Sequence, residues 1–283
     1  MNKFTMKKNQ TGISLVELMV SLTIGLFLLA GLIQMFVTTK KSYNVQDSLS
    51  RIEENSRFAL DTLSRTIRLA GYKTDPWQDN SSAFPVVTLF PGSGQYISGT
   101  EGGVTDSDSI NIRYQGSVNS AGVADNRVFD CAGTSIGNTT VELSFSISGS
   151  DLVCSINGAT PVVMVDNVAH MQILYGIDAG GDGAANQYVV ASSVTNWVNV
   201  VSAKIGLVFS SEDIEGKRNL ASQTLSFPDL SANPMNAMFD QDNDGHPDLF
   251  KSYGSSDFDT QTAPDKRLYK VYTATITIRN SVL

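Results

Sequence analysis

"TGISLVELMVSLTIGLFLLAG", Thr11 to Gly31, is a nearly unbroken apolar run that holds a single carboxylate, Glu17, near its start. The apolar character lasts to Val37, interrupted only by Glu17, a few Ser and Thr, and Gln34. At 1.5 Å per residue, Ile13–Val37 spans about 37 Å as a helix, enough to cross a bilayer with some tilt. The preceding "MNKFTMKKNQTG" is polar, with three lysines and no acid, which favours a cytoplasmic N-terminus. A secretory signal peptide is the competing reading. The run is too long for one and no A-x-A-like cleavage site follows it. Glu17 needs a cause, because an acid at a bilayer centre costs about 2.5–3.5 kcal/mol and intramembrane acids generally have partners. If the chain is cut after Gly12, Ile13 becomes the N-terminus and Glu17 its fifth residue. About 6 Å of helix then separates them, which holds the acid near the membrane surface and in reach of a neighbouring copy's free amine.

Gly12 through Glu17, "GISLVE", closely resembles the type III leader junction of type IV prepilins. The resemblance implies that a prepilin peptidase cuts between Gly12 and Ile13 and that Ile13 is then N-methylated. It also implies that Glu17 neutralises the amine of an adjacent subunit during assembly. Ile13 departs from the commoner Phe at that position. An ordinary signal anchor with a stray Glu is the plainer alternative.

Beyond Lys40 and Lys41 the composition turns polar, yet Val45, Leu49, Ile52, Ser56, Ala59, Leu60, Leu63, Ile67 and Ala70 recur at spacings of three and four. That is one apolar face of a helix. Arg51, Glu53, Glu54, Arg57, Asp61, Arg65 and Arg68 mark the other face, and Gly71 reads as the stop. The stripe is short for a coiled coil and suits docking on a sheet. "ENSRFALDTLSRTIRLAGY", Glu54–Tyr72, is similar to the second half of the long helix in the minor pilin PilW family, RFAL-x-x-L-x-x-x-I-R-x-AGY.

From about Thr74 onward, Gly, Ser, Asn and Pro punctuate short β-rich runs. Strands are expected at Val86–Phe90, Ser109–Tyr114, Val141–Ile147, Leu152–Ile156, Pro161–Val165, Met171–Gly176, Gln187–Ala191, Val200–Ser210 and Tyr269–Asn280. Ser148–Asp151 carries a hairpin-turn signal. "DSDSINIRY", "FDCAG" with "LVCSING", "VDNVAHMQILYGID", "WVNVVSAKIGLVF" and "DKRLYKVYTATITIRN" extend the PilW resemblance over most of the chain.

Composition bounds the function. The formal charge is −8, and residues 1–12 contain three lysines and no acid, so the remainder carries 17 basic against 28 acidic residues. An acidic body repels phosphate backbones, and no direct nucleic-acid partner is expected. Cys131 and Cys154 have no zinc-type spacing. In an exported head they read as one disulfide, contributing roughly 3 kcal/mol; otherwise they are two buried thiols. The PilW resemblance implies a bridge between two head strands.

"DQDNDGHPD", Asp240–Asp248, looks built to hold a cation. Asp240, Asp242 and Asp244 alternate, Gly245 allows a sharp turn, His246 can offer its carbonyl and Asp248 follows, an oxygen-rich pattern suited to Ca²⁺. Lys251 occupies the place of an EF-hand's final Glu, so the loop is closer to those of extracellular repeat proteins. A solvated acidic turn is the plainer reading. "DAGGDG", Asp178–Gly183, has fewer acids and reads as a flexible loop. No nucleophile elbow, P-loop, dinucleotide fingerprint or H-E-x-x-H occurs, and the chain's two histidines, His170 and His246, complete no catalytic set, so no enzyme is expected.

The expected fold class is α+β and type IV pilin-like: a long N-terminal α-helix, half membrane and half amphipathic, packed on an antiparallel β-sheet head. The expected organisation is a leader at 1–12, a membrane or filament-core half at 13–40, an amphipathic half at 41–71 and a β-rich head at 72–283. The resemblance implies a minor pilin that initiates or caps a pilus, serving adhesion and twitching motility. It is held in the inner membrane with its head in the periplasm, then moves to the fibre tip. Implied partners are prepilin peptidase, other minor pilins, the major pilin, the assembly platform and a tip adhesin. A type II secretion pseudopilin is the nearest alternative, and a membrane-anchored calcium-binding adhesin is one of another class.

Overall fold

The structure, a computed structural model, describes residues 12, 14–102, 106–212 and 267–280. The chain divides into two compact units, Met1–Asp47 and Ser48–Leu283.

Helix α1, Leu15–Leu69, contributes residues to both. Within the first unit its large apolar side chains, from Leu15 to Val37, are all exposed. Each hydroxyl that interrupts them turns back on the helix. Ser21 Oγ donates to the Glu17 carbonyl at 2.7 Å and Thr38 Oγ1 to that of Gln34 at 2.9 Å, as Thr23 does to Met19 and Thr39 to Met35. A segment that meets hydrocarbon must satisfy its polar groups internally, and these hydroxyls do so.

In the second unit α1 buries Ile52, Ser56, Ala59, Leu63, Thr66 and Ile67, the stripe that periodicity marks. Val45 and Leu49 are only half-buried. The helix ends because Gly71 takes φ +75°, a left-handed conformation that glycine adopts without Cβ strain. A Cβ there would also meet the Tyr96 ring at 3.0 Å. Gly71 N–H donates to the Arg113 carbonyl at 3.1 Å. Asn280 Nδ2 reaches the carbonyls of Arg68 and Ala70 at 3.4 and 3.2 Å, so Arg113 and Asn280, far apart in sequence, both satisfy groups left over at the helix terminus. A short helix α2, Asn80–Ala83, is N-capped by Asp79.

The head has two antiparallel sheets. β1 (Ile97–Thr100), β2 (Ser109–Gln115), β3 (Thr140–Ser148), β4 (Asp151–Ile156) and β5 (Val162–Asp166) form a meander in that order. β6 (Val168–Ile177), β7 (Gln187–Val189), β8 (Val200–Ser210) and β9 (Tyr269–Thr277) form the second sheet in the order β7-β6-β8-β9. Ile110, Ile112, Leu143, Phe145, Met171, Ile173, Ile205 and Leu207 join the helix stripe in one core.

Eight of the expected strands form, within a few residues of their expected ends. Val86–Phe90 does not: Pro85 and Pro91 flank it, and Val87 and Phe90 exchange backbone hydrogen bonds at 3.1 and 3.0 Å. A proline supplies no ladder donor, so the run closes as a tight turn with Phe90 inside. β1 and α2 lie outside the expected set. β3 and β4 meet at Ser148↔Asp151, with Gly149 at φ +66° between them, as a two-residue hairpin loop requires.

Candidate assembly site

The N-terminal segment positions its chemistry by helix geometry alone. Gly12 lies exposed with nothing within 4 Å of where a Cβ would stand, an open junction. Ile13 falls outside the described residues. Glu17 occupies the first turn of α1 and is exposed. An acid there also interacts favourably with the helix N-terminal dipole. Sequence and structure thus agree on an acid at the head of an apolar helix whose hydropathy and length suffice to span a membrane.

The candidate calcium residues Asp240, Asp242, Asp244, His246 and Asp248 lie outside the described residues. The second acidic loop is described and is closed by hydrogen bonds of its own. Asp178 accepts from the N–H groups of Gly180, Gly181, Asp182 and Gly183 at 3.0, 2.6, 3.3 and 2.7 Å. These bonds, that of Gly183 foremost, hold its carboxyl below the usual carboxylate range. A carboxylate spent on four backbone donors is poorly placed to ligate a cation. Among the described residues no group of three His, Cys, Asp or Glu side chains converges as metal ligands would.

Inside the head, two polar side chains that β2 alternation would send to solvent are buried. Arg113 is 1% exposed. Its guanidinium donates to the carbonyls of Gln95, Pro85 and Phe84, the last two at 2.6 and 3.0 Å, and it sits 4.5 Å from the Phe90 ring centroid. One side chain thereby fastens the connection between α1 and β1. Asn111 Nδ2 similarly donates to Ser98 Oγ at 3.2 Å.

Asp108 joins the two sheets. Its carboxylate accepts from Gly102 N–H at 2.9 Å and from Ile173 N–H of β6 at 2.7 Å, while its own N–H donates to the Met171 carbonyl at 2.9 Å. Burial pushes its pKa up to about 7; the two N–H donors oppose this and the Glu101 carboxylate reinforces it. Burial also raises Glu101, against a hydrogen bond from Ala191 N–H. His170, in β6 opposite Val208, is lowered by burial; it is a strand residue packed in place. Sequence reading gave no role to Asp108 or Arg113. The available signal was a charged residue beside a dense β run, which pattern reading assigns to the wet face.

Cys131 and Cys154 form a disulfide. Cys154 lies in β4 and is fully buried. Cys131 lies in the loop between β2 and β3, not in a strand, so the bridge ties a loop to a sheet instead of joining two strands. Asp130 Oδ1 organises that loop, accepting from Ala132 and Thr134 N–H at 2.9 and 2.8 Å.

Two family models match the chain. Residues 147–280 match Type IV Pilus-assembly protein W, and residues 7–33 match the prokaryotic N-terminal methylation motif. No curated protein matches the sequence. A type IV-like pilin from Thermus thermophilus is similar in structure, with 14% identity and a TM-score of 0.41 over 83% of this chain and 97% of that one. A chain of the GspK-GspI-GspJ complex of the enterotoxigenic Escherichia coli type 2 secretion system gives 11% identity and a TM-score of 0.34, over 55% and 88%.

Proposed function

We propose that the chain, whose residues 147–280 match the type IV pilus-assembly protein W model and whose residues 7–33 match the N-terminal methylation motif, acts in pilus assembly as a minor pilin that initiates or caps the fibre. The observation that carries this reading is the conjunction of Gly12, Glu17 and an apolar helix continuous with an amphipathic one. The mechanism is assembly, with no chemical turnover. Prepilin peptidase cuts between Gly12 and Ile13, and Ile13 is methylated. Glu17 then faces the amine of a neighbouring subunit. Helices in lipid gain little from hydrophobicity when they associate, so the charge pair guides the subunit out of the bilayer, and apolar packing holds it in the fibre.

In this reading the head is periplasmic before assembly and sits at the pilus tip afterwards. It contacts other minor pilins and the major pilin there, and the assembly platform delivers it; a tip adhesin and a role in twitching motility complete the proposal. Ca²⁺ at Asp240, Asp242, Asp244, His246 and Asp248 belongs to it too, supported by their spacing. Adding millimolar Ca²⁺ to the full chain should raise its Tm, and Asp242→Ala should abolish the rise; equal Tm with and without Ca²⁺ would remove the cation.

The test of the central reading is Glu17→Ala. It should leave membrane insertion and processing intact but reduce surface pili severely. Undiminished pili would refute the assembly role for Glu17.

A further inference from the structure

α1 and β5 enclose a groove of about 400 Å³ on the head, lined by Glu54, Phe58, Val163, Met164 and Asp166 among others. Two apolar side chains stand bare in an otherwise largely polar lining: Phe58 is 53% exposed and Val163 50%. Its rim is acidic. Asp166 lies directly across from Asp151 in the β4–β5 ladder, and like charges so placed destabilise a sheet. Neither Glu54 nor Asp166 has a cationic partner among the described residues.

β5 ends its sheet, yet its edge is a poor template for another strand. Val153 faces Val163 and Leu152 faces Val165, which makes Met164 the extra residue of a bulge. A bulge interrupts the ladder and discourages edge pairing. The carbonyl of Asp166 is already taken by Asn55 Nδ2 at 3.3 Å. An occupant must therefore enter by its side chains, as an amphipathic helix enters a groove. The acidic rim demands that it bring Lys or Arg beside its apolar anchors. A second copy is disfavoured by repulsion between two processed chains, each with 17 basic against 28 acidic residues.

We propose that this groove docks a basic, apolar-faced helix of a different pilin subunit. The inference rests on the assembly reading and specifies one of its contacts.

The experiment places p-benzoylphenylalanine at position 58 of the full chain in piliated cells, with position 77 as control, since Trp77 is an exposed aromatic elsewhere. Irradiation should link position 58 to a Lys- or Arg-bearing peptide from the helical portion of another pilin subunit. The pair Glu54→Lys and Asp166→Lys should lower the yield about tenfold, as charge complementarity requires, and reversing the partner's basic residue should restore it. Where the reversed pair fails to form the Cys131–Cys154 disulfide, Glu54→Gln with Asp166→Asn decides the charge requirement. A link to a second copy, a link to a protein that is no pilin, or a yield no higher than at position 77 would overturn the proposal. The N-terminal mass of the same chain is read alongside. Processing at Gly12 without the crosslink removes the groove partner alone, whereas an unprocessed chain removes the assembly reading itself.

Discussion

At Asp108 burial opposes ionisation, while two backbone donors reward it, and burial prevails. Its folded pKa, about 7, exceeds the unfolded value of about 3.9. The folded head therefore holds a proton that the unfolded chain releases. Its contribution to stability is full below about pH 4 and is lost as pH rises to 7, by at most about 4 kcal/mol. Glu101, raised for the same reason, acts with the same sign. Thermal melts from pH 4 to 8 should show Tm falling across this window, and Asp108→Asn should flatten the fall even if it lowers Tm throughout. His170, lowered by burial, acts with the opposite sign, so the difference between the two melts isolates Asp108: a pH dependence that Asp108→Asn leaves unchanged would show that the two N–H donors outweigh burial. Nothing in the sequence distinguishes Asp108 from Asp106, because the difference is made by β6, more than sixty residues away.

The long helix was the most legible element, since both of its halves carry local signals: hydropathy in one, three-and-four periodicity in the other. Its end was legible too, and testable. Gly71→Ala forces a Cβ into the left-handed region and against Tyr96, and should cost about 1–3 kcal/mol in denaturant melts. Leu63→Ala removes a fully buried side chain from the stripe and should cost about 2–5 kcal/mol. Losses near zero would mean that the amphipathic half is not docked as described. Most strands were legible from their apolar runs, but β1 was not, because "ISGT" is short and half polar. The α1–β5 groove left no sequence signal: Phe58 lies off the apolar stripe and Val163 inside an expected strand, and only the packing shows them side by side and bare.

At the scale of the molecule, sequence patterns give a β-rich head but not its division into two sheets, which depends on long-range pairing of β8 with β6 and β9. The disulfide was legible only on the premise of export, and the loop position of Cys131 was not. Replacing both cysteines by serine should destabilise the head by roughly 3 kcal/mol, measured as a shift in denaturation midpoint; an unchanged midpoint would make the bridge incidental. The function is carried by the same division of labour, an apolar helix for the membrane and fibre and a stapled head for neighbours. Mass spectrometry of the N-terminal peptide recovered from sheared, purified pili tests this account most directly. The account predicts a peptide that begins at a methylated Ile13. A chain that keeps residues 1–12, or one found only in the cell membrane and never in the fibre, would contradict it.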